Sequence, residues 1–216
     1  MKFQAIIFDF DYTLADSSRG IVASVNNALH DLGFPLASPE AIYPTIGMSL
    51  PKTFVTLVGQ EYAAQGEAFT GRFKHHADEI MVGLTTLYAT VDPTMRLLKQ
   101  QQKKLGIVST KYRYRIEGVL QRDHASDLFD IIVGGEDVAN HKPDPEGLVH
   151  AISVLGCSPE QVLYVGDSVI DAETAKRAQV SFMAVLSGVT SREAFDDYSV
   201  VEIIDDLSHL PEQFAL

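Results

Sequence analysis

Phe3-Gln4-Ala5-Ile6-Ile7-Phe8-Asp9-Phe10-Asp11-Tyr12-Thr13-Leu14 decides the fold of this 216-residue chain. The apolar run from Phe3 to Phe8 is too short for a helix and stops at a carboxylate. Such a run reads as a buried strand that delivers acidic groups to the C-terminal edge of a parallel sheet. Open α/β sheets place their ligands at that edge. Asp9 and Asp11 repel one another where the strand breaks into a loop. A cation or a chemical task would justify that cost; on this motif alone, a pair of turn-forming aspartates explains it equally well.

Working outward, the period changes after Leu14. Asp16, Ser17 or Ser18 can cap a helix that carries Ile21, Val22, Val25, Ala28, Leu29 and Leu32 and is stopped by Gly33. Ser38-Pro39-Glu40 opens a short helix, Leu50 to Val58 a third, and Tyr62, Phe69, Phe73 and Ile80 mark a fourth. The aromatics of that helix read as cap core rather than as a ligand box. Residues 16–82 thus form an all-helical insert without strand alternation. From Asp92-Pro93 onward, strands and helices alternate. Strands are expected at Lys104–Ser109, Ile131–Val133, Val162–Val165, Phe182–Leu186 and Val200–Ile204. Helices are expected over 112–121, from Asp144-Pro145, and over Ala172–Ala178, with capping-box spacing at Ser158-Pro159-Glu160-Gln161. The expected fold is α/β: a Rossmann-like parallel-sheet core (1–15 and 83–216) with a helical cap (16–82) over the sheet's C-terminal edge. Hinges fall near 14–17 and 80–92.

Composition narrows the function. Hydrophobic types at 46% and charged types at 21% suit a core-forming globular chain. A net charge of −12 repels nucleic acid and anionic membranes, so a bound phosphate must be met by a few placed cations. The lone Cys157 excludes an intrachain disulfide framework and reads as a small residue near a helix end. The first apolar run is too short for a secretory signal and no stretch is long enough to span a bilayer, so a cytoplasmic protein, monomer or homodimer, is expected.

Four features converge at strand C-termini: the Asp9/Asp11 pair, Ser109, Lys142 in His141-Lys142-Pro143-Asp144-Pro145, and Asp167 with Asp171 in Gly166-Asp167-Ser168-Val169-Ile170-Asp171. Carboxylates gathered from two strands are hard oxygen ligands suited to Mg²⁺, and no Cys/His spacing suggests zinc. A lysine and a hydroxyl beside such a site make a sink for a phosphoryl group that a carboxylate can attack. In this order the motifs resemble the haloacid dehalogenase superfamily, and most of all its helical-cap phosphatases such as the phosphoglycolate phosphatases. The resemblance covers nearly the whole chain. It implies that Asp9 is the nucleophile forming an aspartyl-phosphate and that Asp11 is the acid and then the base. Mg²⁺ would be held by Asp9, the Asp11 carbonyl and Asp167, with Asp171 orienting a metal-bound water. Ser109, Thr110 and Lys142 would bind the phosphoryl group, and Arg19 would meet a substrate carboxylate or pair with a cap acid. The substrate would be a small phosphate ester.

Tyr12 stands where the family usually has glycine, and is expected to narrow the pocket. Lys111, beside the phosphate position, reads as solvent-facing, and no histidine is assigned a role. Thr45-Ile46-Gly47 and Lys52 are the further cap positions expected to set the substrate. Asp11 argues against a dehalogenase, which needs no proton for a leaving alcohol. The stretch Asp16-Ser17-Ser18-Arg19-Gly20 lacks the histidine of a sugar-phosphate mutase, and no lysine lies between Lys2 and Lys52 for a phosphonatase. Pyrophosphate, sugar-phosphate or nucleotide hydrolysis, and a non-catalytic phosphate-binding module, remain as alternatives.

Overall fold

The computed structural model describes residues 3–214. Its elements run in chain order β1 (Ala5–Phe8), β2 (Ala15–Asp16), α1 (Ser18–Asp31), α2 (Pro39–Ile42), α3 (Leu50–Val58), α4 (Gly66–Leu84), β3 (Thr86–Leu87) and α5 (Val91–Gln100). They continue as β4 (Lys104–Val108), α6 (Arg113–Arg122), β5 (Ile131–Val133), α7 (Glu146–Leu155), β6 (Val162–Gly166), α8 (Val169–Ala178), β7 (Ser181–Val185) and β8 (Val200–Ile204). Six strands form one parallel sheet in the order β5-β4-β1-β6-β7-β8.

Strand β1 is buried at every position because the sheet is covered on both faces. Ile6 and Phe8 point into one core with Met95 and Leu98 of α5 and Ile116 and Val119 of α6. Ala5 and Ile7 point into the other, with Leu148 and Ile152 of α7 and Ala172 and Ala175 of α8. The chain leaves β1 for neighbours on both sides, so the crevice at its C-terminal end is the topological switch point of the sheet. Phe8 is in register with Ile107 of β4 and Val165 of β6, so the next residues of all three strands emerge together.

Helices α1 to α4 form the inserted cap and enclose a third core of Val25, Leu29, Ile42, Phe54, Phe69, Phe73 and Met81. Phe54 and Phe69 stack with centroids 5.0 Å apart. Gly33, at φ +77, follows α1 as its sequence position anticipates. Asp16 Oδ1 accepts the Ser18 amide at 2.8 Å and caps that helix. Two features differ from the sequence reading. Tyr62 lies ahead of α4 in a 3₁₀ turn, Gln60–Gln65, and is 40% exposed, its ring edge-on to Phe34. Of the three aromatics, Phe69 and Phe73 enter the core. A two-stranded ribbon, with Ala15 opposite Leu87 and Asp16 opposite Thr86, joins the two crossings between cap and core. Its strands are too short to show a period in the sequence. No helix among the described residues is long and apolar enough to cross a membrane.

Candidate active site

Asp9 is the first residue past β1, and its amide donates to Val165 O at 2.9 Å, which locks the strand end to β6. Asp167 follows β6 directly, and Ser168 caps α8 through a reciprocal box with Asp171. Asp9, Asp167 and Asp171 each offer an oxygen within 4.8 Å of the others, and all three are buried. Lys142 Nζ stands among them, 2.9 Å from Asp9 Oδ1 and 2.6 Å from Asp171 Oδ1. Tyr164, facing inward from β6, donates its hydroxyl to Asp171 Oδ1 at 3.0 Å or to Val108 O at 3.1 Å. Thr13 Oγ1 donates to Asp167 Oδ1 at 3.2 Å.

Two glycines make room for this cluster. A Cβ on Gly188 would overlap Asp167 Oδ2, and one on Gly166 would sit 2.5 Å from the Asp171 side chain. Sequence reading named neither as a site residue, although the Gly-Asp motif carries one of them. Gly188 and Tyr164 become legible only once β7 and β6 are set beside β1.

Three carboxylates against one lysine leave the cluster short of positive charge. Burial raises the Asp9 carboxyl from 3.8 to about 6, with Lys142 opposing and Asp171 and Asp11 adding to the rise. Burial, followed by Asp171 and Asp9, pushes Asp167 well above the carboxylate range. Burial disfavours the Lys142 charge, but Asp171 and Asp9 outweigh it and hold the ammonium firmly protonated. Lys142 lies off the angle of a hydrogen bond to Asp9 Oδ1, so that buried oxygen accepts none. Both Asp171 oxygens are already engaged, by Lys142, Tyr164 and Ser168. A divalent cation held by Asp9 and Asp167 fits this set: all-oxygen donors, an uncommitted buried oxygen and surplus negative charge.

The second half of the site faces the cap. A cavity of about 100 Å³ lies between cap and core, with Asp11, Thr110 and Lys111 on the core side and Thr45, Gly47 and Ser49 on the cap side. Ser109 is buried at the end of β4, its amide bonded to Val133 O and its hydroxyl accepting the Lys111 amide at 3.3 Å. Thr110 Oγ1 donates to Gly47 O at 3.3 Å and so ties the core loop to the cap turn.

Four sequence expectations need correction here. Lys111 does not face solvent: it is 7% exposed, and Nζ contacts Asp11 Oδ1 at 2.8 Å and Ser17 Oγ at 3.1 Å. A lysine three residues past a strand end looks like any loop lysine until Asp11 is placed opposite it. Tyr12 does not line the cavity. It is buried at φ +62, a left-handed backbone that disfavours a side chain by roughly 1 kcal/mol. Its carbonyl accepts Ser187 Oγ at 2.5 Å and its amide donates to Ala15 O. Arg19 is exposed on α1 and does not line the cavity, and Lys52 is exposed as well.

Fold and site together describe a Rossmann-like protein with buried carboxylates and a lysine gathered at the sheet's switch point. The family model for haloacid dehalogenase-like hydrolases matches residues 6–185, and the chain belongs to that family. A pyrophosphatase PpaX of Bacillus cereus (strain AH820) is 33% identical over 213 residues, covering 97% of this chain and 95% of the relative. A haloacid dehalogenase-like hydrolase from Bacteroides fragilis superposes with a TM-score of 0.93 at 46% identity, over 97% of this chain and 100% of the other. A protein described as a predicted phosphoglycolate phosphatase from Haemophilus somnus gives 0.86 at 25% identity, over 100% and 99%. The chain is accordingly an enzyme, a phosphatase of this family.

Proposed function

We propose that this phosphatase hydrolyses a small-molecule phosphate through an aspartyl-phosphate on Asp9, with Mg²⁺ as cofactor. The observation that carries the reading is the buried Asp9 Oδ1, which accepts no hydrogen bond and stands 2.9 Å from the Lys142 ammonium, beside Asp167. An oxygen so placed, with only the Lys142 ammonium beside it, is poised for a bond to phosphorus or a metal. Bound at Asp9 and Asp167, with the Asp11 carbonyl, Mg²⁺ would neutralise phosphoryl oxygens.

Asp9 attacks phosphorus as the bond to the leaving oxygen breaks, and Asp11 gives that oxygen its proton. Water then attacks the phosphoryl group, Asp11 takes a proton from it, and the Asp9–phosphorus bond breaks. Lys142 holds Asp9 in line and offsets charge on the transferred group, while Ser109 and Thr110 offer it hydroxyls. Asp171 fixes Lys142 and borders the metal position. The cap, residues 16–82, opens and closes over the core, residues 1–15 and 83–216, with the ribbon at Ala15–Asp16 and Thr86–Leu87 as its root. Cytoplasmic location is part of the same proposal.

Two substrates lead. The solved relatives that bear the phosphoglycolate phosphatase name favour phosphoglycolate; the curated relatives named pyrophosphatase PpaX favour pyrophosphate. Phosphate release from a metabolite panel, with Mg²⁺ and with EDTA, tests the reading. Turnover that survives EDTA, or that persists in Asp9→Asn, rejects it.

A further inference from the structure

The roles above leave Lys111 unexplained, although it is one of the most buried cations of the chain. Its side chain is 4% exposed, and the residue lines the cavity that Asp11 also lines. Its partners are Asp11 Oδ1 at 2.8 Å, Ser17 Oγ at 3.1 Å and, more distantly, the Phe10 ring, with 5.7 Å between Nζ and the centroid. Ser17 in turn accepts from Thr85, at the root of the cap.

Resting on the phosphatase reading, we propose that Lys111 is a specificity-determining residue that binds a negative charge on the leaving group. The substrate is then a phosphate ester or anhydride whose departing fragment is itself an anion, a carboxylate or a second phosphate.

The partner that Lys111 has at rest is the one the reaction draws away. As Asp11 turns its carboxyl to the leaving oxygen, Lys111 keeps only a hydroxyl, and a buried charge without a counter-charge is penalised. An anionic leaving group in the cavity replaces Asp11 at that moment. The attraction is then strongest when the bond to phosphorus breaks, so it favours the transition state over the ground state.

The other arginine or lysine lining the cavity, among the described residues, is committed elsewhere. Arg115, also on the cavity wall, donates to Asp78 Oδ1 at 3.0 and 2.7 Å and to Lys74 O at 3.0 Å. Lys142 is held by Asp9 and Asp171 and is not a lining residue of this cavity. Size is compatible: the cavity's ≈ 100 Å³ has room for a small fragment. A phosphate or a two-carbon acid has that size. The chain's net charge of −12 supplies no general attraction for such an anion, so a placed cation must.

The test compares three substrates in the wild type, Lys111→Met and Lys111→Arg, with Mg²⁺ present. Phosphoglycolate and pyrophosphate carry an anionic leaving group, and 2-hydroxyethyl phosphate is the neutral counterpart of phosphoglycolate. The wild type should favour at least one anionic substrate over the neutral ester by about 100-fold in kcat/KM, and Lys111→Met should lose most of that preference. Lys111→Arg should retain it, while thermal melts show whether each variant is folded. Which anionic substrate loses more in Lys111→Met tells a carboxylate from a phosphate. An equal fall on all three substrates would mean that Lys111 only holds Asp11, and would overturn the proposal. So would an unchanged preference in Lys111→Met. A wild type inactive on all three and on p-nitrophenyl phosphate would instead reject the phosphatase reading, and this inference with it.

Discussion

Replacing the proposed nucleophile should make the metal-free protein more stable. Burial holds the Asp9 carboxyl at about 6 in the fold, against 3.8 in the unfolded chain. A raised acid contributes no cost below the unfolded value, a growing cost between the two, and the full cost above the folded one. At 1.36 kcal/mol per pH unit, the displacement from 3.8 to about 6 amounts to about 3 kcal/mol. An asparagine in its place would keep the shape and drop the charge. In EDTA at about pH 7.5, Asp9→Asn should gain up to about 3 kcal/mol, or roughly 6–12 °C in Tm for a chain of this size. The gain should fade towards about pH 4, and saturating Mg²⁺ should narrow it, because the wild type then gains binding energy that the variant lacks. Thermal and urea melts across pH, with and without Mg²⁺, measure all of this. A variant no more stable than the wild type in EDTA, or a gain as large at about pH 4 as at about pH 7.5, would mean that the buried Asp9 charge is not what costs the fold stability.

Other perturbations follow from the same geometry. Lys142→Met strands three buried carboxylates and should cost about 3–5 kcal/mol in EDTA together with all turnover, and Mg²⁺ should restore part of the stability in urea melts. Gly188→Ala pushes a methyl group onto Asp167 and should weaken metal binding by about 10–100-fold, read from the Mg²⁺ dependence of turnover. Asp78→Ala removes the cap carboxylate that clamps buried Arg115 of α6, and should cost about 1–3 kcal/mol. Hydrogen exchange should then quicken in the C-terminal half of α4, and unchanged protection there would argue against a cap–core clamp.

The sheet and its ends were legible because buried strands announce themselves as short apolar runs stopped by a carboxylate, a hydroxyl or glycine. Asp9, Ser109 and Asp167 each sit at such a stop, and the structure brings all three to one edge. The ribbon between cap and core was not legible, since two residues per strand carry no pattern. Tyr62 shows the limit of helical spacing: it falls on the apolar stripe of α4 but ahead of the helix's first turn at Gly66, where a 3₁₀ turn leaves it half-exposed. Lys111 shows another limit. Its burial is set by a contact with Asp11, 100 positions away, that no local window contains. Arg19 is the opposite case, a cation early in the cap whose helix turns it outward.

A carboxylate oxygen of Asp9 is the proposed acceptor of the phosphoryl group. Acid quench of the enzyme during turnover with Mg²⁺, followed by peptide mass spectrometry, should find one added phosphoryl mass on the segment bearing Asp9, and none in Asp9→Asn. A phosphoryl adduct on a different residue, or full turnover in Asp9→Asn, would contradict it.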